Sequence, residues 1–386
     1  MCIRDRNMSL GAGSPQVTGA GNLIKTGPGA LTLSKSLNNY TGTTTIQAGS
    51  LVAGTDSFGT GTSGAFGNSS AGALILGNGS TGASDAPALI NGGFTVGRDI
   101  TVGSVSNVAS YNATIGGSNT TGTSYYTGNI TLNTTAANYT ATLQAATGGT
   151  VEFNTGTWTT NNKAIAIGSS GNLGTVKLSN NIATTGGINV NYGTLILNSA
   201  LTGGMTVASG ATLTGAGTIS GAVSVNGILS PGPAIAQLGS GALTLNNNST
   251  FAYDMDSSVV GNNQGSLQVV NGNLILNGHI NLTLSASAFT PNTTTLSLMQ
   301  YTGSLLGSGG FFYGATALTD GTTFNDGLNT WRISYAAPTG GLNFANELGG
   351  KFITLSNLTA VPEPGTLLAL GCLLGSGAFL RTRRRH

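Results

Sequence analysis

Charged residues and cysteines are both scarce in this sequence of 386 residues. Lys, Arg, Asp and Glu together make up only 6% of it. Residues 7–360 hold seven basic and nine acidic residues, a net charge of −2. Nucleic-acid binding depends on clustered Lys and Arg, so this balance excludes such a partner. The two cysteines, Cys2 and Cys372, lie near opposite ends of the chain, and we expect no disulfide and no cysteine-based metal site.

Histidine, which many hydrolytic and metal sites need, is almost absent. The two histidines are His279, inside a strand-like run, and His386, the last residue. No serine or cysteine triad can be assembled from them, because a triad needs a histidine oriented by a carboxylate. Asp254 and Asp256 come nearest to a calcium element, but two carboxylates supply too few of the six or more oxygens that calcium takes. We predict no catalytic residue, no metal and no cofactor.

A β-helical enzyme acting on polysaccharides is the catalytic alternative. Such enzymes use Asp clustered with Lys or Arg, or two carboxylates about 5 to 10 Å apart. Asp85, Arg98 and Asp99 would form a cluster if the fold brought them together. Three or more of five carboxylates in one cleft would favour this alternative: Asp85, Asp99, Glu152, Asp254 and Asp256. Three aromatic residues could instead stack on sugars, with packing inside the protein as the competing explanation: Tyr125, Tyr126 and Trp158.

Glycine, by contrast, is abundant. It accounts for 63 of 386 residues, about 16% against a usual ~7%, without the G-x-y period of collagen. The hydrophobic fraction is 39%, so the composition differs from that of disordered chains, which combine low hydrophobicity with high charge. Short runs of Leu, Ile, Val and Thr alternate with glycine turns from Gly21 onward, and no helical period is present. The body is therefore predicted to be all-β.

Strands this short, with glycine corners, predict a solenoid. They cannot bury an apolar face alone, but coils stacked about 4.8 Å apart share one continuous core. Residues 20–285 would form about thirteen coils of roughly twenty residues and a rod about 60 Å long. We expect ladders of outward Thr and Asn along this parallel β-helix, and longer loops between Phe58 and Tyr126.

Residues 21–54 carry a specific repeat. The sequence reads G-A-L-T-L-S from Gly29 and N-Y-T-G-T-T-T-I-Q-A-G-S-L from Asn39. It resembles the autotransporter-associated β-strand repeat, and degraded versions follow between Gly193 and Gly232. The resemblance implies the β-helical fold of secreted passenger domains.

Aromatic residues gather after about residue 284, among them Phe311, Phe312 and Trp331. A solenoid end presents unpaired strand edges and an open core, which a bulky terminal segment must cover. We therefore predict a β-solenoid over 7–284 and a C-terminal β cap with a tether over 285–360.

The last 26 residues, 361–386, contain three unlike pieces in a fixed order. Pro362 and Pro364 stiffen the backbone around Glu363, within the element Val361-Pro362-Glu363-Pro364. The uncharged run from Gly365 to Leu380 should be a transmembrane helix of roughly 24 Å, short for a hydrocarbon core of roughly 30 Å. Gly371 and Gly375 would permit close approach of another membrane helix. Four arginines should hold this end in the cytoplasm: Arg381, Arg383, Arg384 and Arg385.

The order of these pieces resembles the PEP-CTERM sorting signal of Gram-negative bacteria, over Val361 to Arg385. The resemblance implies recognition by an exosortase, a membrane transpeptidase. It also implies transient anchoring in the inner membrane and transfer to the cell surface or extracellular matrix. We expect an exported structural or adhesive protein that is not an enzyme, with exopolysaccharide or another surface glycan as a partner. The alternatives are the polysaccharide-active enzyme and an autotransporter passenger lacking its barrel.

The N-terminus does not fit an exported protein. Residues 1–6 hold three of the few charged residues, directly before Ser- and Gly-rich sequence. They resemble translated adapter sequence, and we interpret them as a non-native leader. Met1 to Thr26 contains no basic segment followed by an apolar one. We therefore expect that the true start, with its signal peptide, is missing.

Overall fold

The computed structural model describes residues 2–3, 8–10, 16–59, 63–68, 70, 72–82, 84–103, 110–133, 138–232, 234–259, 264–341 and 350–358. These residues form strands, turns and loops and no α-helix, so the all-β prediction is confirmed. Most of the predicted leader at 1–6 and all of the predicted sorting segment at 361–386, with its helix, lie outside the described residues.

The described residues form forty strands of two to eight residues, separated by glycine-rich turns. Strands of the first half are β1 (Cys2–Ile3), β2 (Met8–Leu10), β3 (Leu23–Lys25), β4 (Ala30–Leu33), β5 (Thr44–Ile46), β6 (Ser50–Ala53), β7 (Leu74–Leu76), β8 (Ala88–Asn91), β9 (Thr95–Val96), β10 (Ile100–Val102), β11 (Ser110–Gly117), β12 (Thr123–Tyr126), β13 (Ile130–Leu132), β14 (Asn138–Ala145), β15 (Thr150–Phe153), β16 (Trp158–Thr159), β17 (Ile165–Ile167), β18 (Thr175–Leu178), β19 (Ile182–Ala183) and β20 (Ile188–Val190). Strands of the second half are β21 (Thr194–Leu197), β22 (Ala200–Thr202), β23 (Met205–Val207), β24 (Thr212–Gly215), β25 (Thr218–Ile219), β26 (Val223–Val225), β27 (Ile228–Pro231), β28 (Gln237–Ser240), β29 (Leu243–Leu245), β30 (Thr250–Tyr253), β31 (Leu267–Val270), β32 (Leu274–Leu276), β33 (His279–Leu284), β34 (Thr295–Tyr301), β35 (Leu305–Leu306), β36 (Gly310–Tyr313), β37 (Thr316–Leu318), β38 (Thr323–Asn325), β39 (Thr330–Ala337) and β40 (Lys351–Leu358).

The strands wind into a three-faced parallel solenoid. The first face is a thirteen-stranded sheet from β2 to β35, and the second is an eleven-stranded sheet that runs from β9 to β37. The third face is divided into a seven-stranded sheet from β1 to β16 and a nine-stranded sheet that begins at β19. Strands β1 to β36 all pair in parallel with strands of neighbouring coils, for example β21 with β18 and β24. This is the pairing that the strand and glycine pattern predicts.

One apolar core runs the length of the solenoid. Side chains alternate between buried and half-exposed along most strands, as a pleated strand with one face inward requires. Parallel pairing puts each inward residue directly over its counterpart in the next coil. On the second face this gives a column in which every side chain is at most 2% exposed: Val151, Val176, Leu195, Leu213, Leu229, Phe251 and Leu282.

Outward positions on the same face form the expected threonine ladder. Five threonines pair in register on successive coils and are half-buried: Thr123, Thr150, Thr175, Thr194 and Thr212. The ladder gives the second face a regular row of hydroxyl groups, beside which the outward Glu152 and Lys177 form an ion pair.

Asn and Asp side chains join successive coils at the corners. Each accepts a hydrogen bond from a backbone N–H about one coil further on, which satisfies a donor that no strand partner reaches. The pairs are Asn22 with Thr43, Asp99 with Asn129, Asn129 with Thr157, Asn181 with Ala200, Asn198 with Ala216, Asn247 with His279, and Asn273 with Ser304. Glycine is required where corners approach closely. At Gly168, with φ +76°, an added Cβ would lie 2.2 Å from the Tyr192 carbonyl oxygen.

The number of residues per coil is not constant at the expected value of about twenty. Ile188 pairs with Met205, 17 residues on, whereas Ser50 pairs with Ala88, 38 residues on. The long coil falls in the region where longer loops are expected from the sequence. The thirteen strands of the first face lie between residues 8 and 306, a wider span than the predicted 20–285. The residues that pair over the core stay in register while the segments between them change length.

The C-terminal end is covered by antiparallel strands. Parallel pairing continues beyond Leu284 to Phe312 in β36, so a further coil lies inside the segment predicted as cap. After it, β37 folds back on β36, while β40 pairs antiparallel with both β34 and β39. Trp331 is 0% exposed, and its Nε1 donates to Asp326 Oδ2 at 2.7 Å. These strands cover the ends of two faces, as the edge argument predicts.

Replacing a residue of the inward column should destabilise the solenoid much more than replacing its outward neighbour. We expect Leu195→Ala to lower the free energy of unfolding by about 2–5 kcal/mol, because it leaves a cavity in a packed core. The matched control Thr194→Ala alters the ladder and should cost less than about 1 kcal/mol. Chemical denaturation measures both values, and equal losses would contradict the assigned orientation of β21.

Candidate functional site

The sorting residues predicted from the sequence lie outside the described part of the chain. This applies to Val361 to Pro364, to the apolar run with Gly371 and Gly375, and to the arginine tail. No helix among the described residues is long and apolar enough to cross a membrane.

Asp85, Arg98 and Asp99 do not form the cluster that the enzyme alternative needs. Asp85 accepts a hydrogen bond from the Gly82 N–H of its own loop, and Asp99 accepts one from Asn129. Both groups are described, yet no hydrogen bond or ion pair joins either carboxylate to the Arg98 guanidinium. The guanidinium is directed into the protein, so these three side chains do not meet in the cluster that the enzyme alternative requires.

Arg98 instead holds the longest coil together from inside. It is 2% exposed and donates to the carbonyl oxygens of Phe66, Asn68 and Gly72. Lys25, 1% exposed, plays the same part near the N-terminus, where its Nζ donates to the carbonyls of its own turn and to Ala48 O at 3.1 Å. A buried cation is costly unless its donors are satisfied, and carbonyl groups satisfy both. No sequence pattern indicates that Arg98 and Lys25 are buried, since a charged side chain is normally expected to be exposed.

Asp254 and Asp256 also occupy different environments. Burial raises the pKa of Asp254 above its ordinary value, whereas hydrogen bonds from Ser258 lower the pKa of the exposed Asp256. No group of three or more His, Cys, Asp or Glu that could hold a metal occurs among the described residues.

The predicted sugar-stacking aromatics separate into interior and surface residues. Tyr126 is 1% exposed, stacks on Phe153 at 5.1 Å, and donates to Gly116 O. Trp158 packs edge-on against Phe153. Tyr125 is 37% exposed on the outer side of the second face. Of the three, Tyr125 is the most exposed.

A cleft of about 600 Å³ lies where the last coil meets the cap, and we refer to it as the cap cleft. Its lining includes His279 of β33, Phe312 of β36, Leu318 of β37, Tyr335 of β39 and the nearby Asp320. Four strands therefore contribute to one concavity. None of the five carboxylates of the enzyme alternative lines it.

A stacked pair of rings forms one wall of the cap cleft. The His279 and Phe312 ring centroids are 3.8 Å apart, with 12° between the planes. His279 Nε2 is shielded from solvent and has no hydrogen-bond partner among the described residues. The pair therefore presents an apolar surface, and His279 has no carboxylate that would make it part of a triad.

Tyr335 joins two of the strands that line the cleft. Its hydroxyl donates to Leu318 O at 2.7 Å and accepts from Phe311 N at 2.8 Å, so it bridges β36 and β37. The Tyr335 N–H donates to Asp320 Oδ1 at 2.8 Å. These bonds fix the rim that carries Asp320.

Two smaller cavities lie elsewhere on the described part of the protein. One, of about 430 Å³, lies on the cap sheet around Arg332, Ser334 and Ser356 and shares Asp320 with the cap cleft. The other, of about 370 Å³, lies on the first face beside Asn189, Thr206 and Ser224. Neither contains a pair of carboxylates.

A family model describes one segment of the chain. The model of the passenger-associated-transport-repeat matches residues 23–53. The match runs from the first residue of β3 to the last residue of β6, and it includes the buried Lys25. It supports the autotransporter-type repeat inferred at 21–54. No curated protein matches the sequence.

Buried tyrosines should make the fold sensitive to alkaline pH. Burial raises the pKa of Tyr40 and of Tyr335 to about 12, against opposing hydrogen bonds from Thr44 and Phe311. Burial also raises the pKa of Tyr126. Below about pH 10 these tyrosines are neutral in both states. Between pH 10 and 12 they ionise only when unfolded, so stability should fall by about 1.4 kcal/mol per pH unit for each such tyrosine.

Denaturation at several pH values, with tyrosinate absorbance, measures this effect. Tyr40→Phe should flatten the alkaline loss, whereas Tyr192→Phe, at a ring that is 43% exposed, should not. Titration of all tyrosines together near pH 10 without loss of stability would contradict the assigned burial.

Proposed function

We propose that the protein is an exported, non-enzymatic β-solenoid of a Gram-negative bacterium, with a structural or adhesive role at the cell surface or in the extracellular matrix. The observation that carries the proposal is the parallel solenoid itself, together with a transport-associated repeat of passenger domains in β3 to β6. A long, regular surface with few charges suits a scaffold better than a catalyst.

The distribution of carboxylates supports a role without catalysis. A glycosidase-type reaction needs two carboxylates facing one bond. Glu152 forms an ion pair with Lys177 at 3.0 Å. Asp85 and Asp99 bond to different segments, and Asp254 and Asp256 lie together in the loop after β30. None of the three cavities described above includes any of them.

For the route to the surface, we propose processing by an exosortase at Val361-Pro362-Glu363-Pro364. In this proposal the apolar run after Pro364 anchors the chain transiently in the inner membrane, and the arginine tail stops transfer. The support is the order of the three pieces in the sequence and its resemblance to the PEP-CTERM signal.

An autotransporter passenger is the second candidate function. The match to the passenger-associated-transport-repeat favours this candidate, because the repeat is named for the transport of passenger domains. Both candidates have the solenoid as exported cargo, and they differ in how that cargo reaches the surface.

C-terminal processing separates the two routes. The full chain, given a signal peptide, would be expressed in hosts with and without an exosortase, and the secreted material analysed by intact mass. We expect material ending near Pro362 to Pro364 only where the enzyme is present. Replacing Pro362 and Pro364 with Ala should abolish cleavage, whereas Pro291→Ala, in an exposed loop, should not. Extracellular protein that retains Arg385 and His386 would contradict sorting by an exosortase.

A further inference from the structure

The His279–Phe312 wall has the properties of a surface on which a sugar ring packs. The two rings are nearly parallel, and the shielded Nε2 offers no hydrogen bond to a ligand. Pyranose rings carry an apolar C–H face, and aromatic walls bind such faces while hydroxyl groups point elsewhere. The buried Leu318 extends the apolar part of the cleft.

Asp320 and Thr319, which also line the cleft, supply acceptors for hydroxyl groups. Asp320 is exposed, and although its Oδ1 accepts from Tyr335 N, its Oδ2 has no hydrogen bond among the described residues. A carboxylate oxygen forms strong charge-assisted bonds with hydroxyl donors. Thr319, whose hydroxyl lies 2.8 Å from that of Thr322, adds a donor and acceptor beside it.

The charge and the volume of the cleft further restrict the class of ligand that it can bind. Asp320 is the one Asp, Glu, Lys or Arg among the cleft's lining residues, all of which are described, so an anionic sugar would meet repulsion without compensation. A volume of about 600 Å³ falls within the ~300–1,000 Å³ of small-molecule sites. Because the Tyr335 hydroxyl fixes β36 against β37, the walls are set before a ligand enters, which lowers the entropic cost of binding.

We propose that the cap cleft binds the end of a neutral glycan, with one sugar ring against the His279–Phe312 wall and its hydroxyls on Asp320. This proposal adds a ligand to the proposed surface role, and it depends on that role because the glycan would come from the cell surface or matrix. The cleft lies where the last coil meets the cap, at the C-terminal end of the solenoid. A protein held by its C-terminal end would therefore contact glycans of the surface that carries it.

Titration calorimetry on the purified full chain tests the proposal. The probes are glucose, galactose, cellobiose, lactose and maltose, with glucuronic acid as the anionic comparison. We expect at least one neutral saccharide to bind, and Phe312→Ala and Asp320→Asn each to weaken that binding about tenfold. The matched controls are Tyr125→Ala, an exposed aromatic on the same face, and Asp256→Asn, an exposed carboxylate in another loop. Both should bind as the parent chain does.

Thermal unfolding of each variant shows whether the fold is intact, and variants with the parent's midpoint are compared. The assignment is overturned if no neutral saccharide binds the folded chain, if glucuronic acid alone binds, or if the cleft variants and controls lose affinity equally. These results concern purified protein only. Failure of the proposed export would appear instead as unprocessed chain in cells while binding in vitro persists.

Discussion

Vertical registration of inward side chains is the constraint on which the rest of the structure depends. In a parallel solenoid each inward residue packs on its counterparts one coil before and one coil after, so a shift of one residue would put an apolar row in water. The column from Val151 to Leu282 keeps this register through coils of very different length. Extra residues therefore lie outside the paired inward positions. The Arg98 guanidinium and the Lys25 ammonium are buried at corners of the solenoid. They donate hydrogen bonds to backbone carbonyl groups of the loops, which have no strand partner among the described residues.

The same constraint explains how a chain with 6% charged residues remains ordered. Corner N–H groups have no strand partner, and Asn or Asp side chains from neighbouring coils accept their hydrogen bonds. Asn198 with Ala216 and Asn247 with His279 are examples in which the acceptor and donor lie 18 and 32 residues apart. Polar side chains without charge thus replace the ion pairs that other proteins place at their surfaces. The outward threonine ladder continues this pattern along the second face.

The sequence predicted those features that repeat and missed those that occur once. The alternation of Leu and Thr in segments such as Leu243–Leu245 was enough to predict strands, a solenoid and an outward ladder, because each coil repeats the same physical problem. The direction of Arg98 could not be predicted, since the carbonyls it satisfies belong to an irregular loop. The cap cleft was missed for a related reason. His279, Phe312 and Tyr335 come from distant strands whose antiparallel return no local pattern specifies, although the enrichment in aromatics after residue 284 marked the region.

Distances between outward threonines test the solenoid most directly. Thr123 and Thr250 lie six parallel pairings apart on the second face. At about 4.8 Å per strand, spin labels at these positions should be separated by about 29 Å along the axis. Labels at Thr123 and Thr194 should give about half that distance, because three pairings separate them. Pulsed dipolar spectroscopy that finds distances growing linearly with the number of pairings would agree with the fold. Distances that do not scale with that number would contradict it.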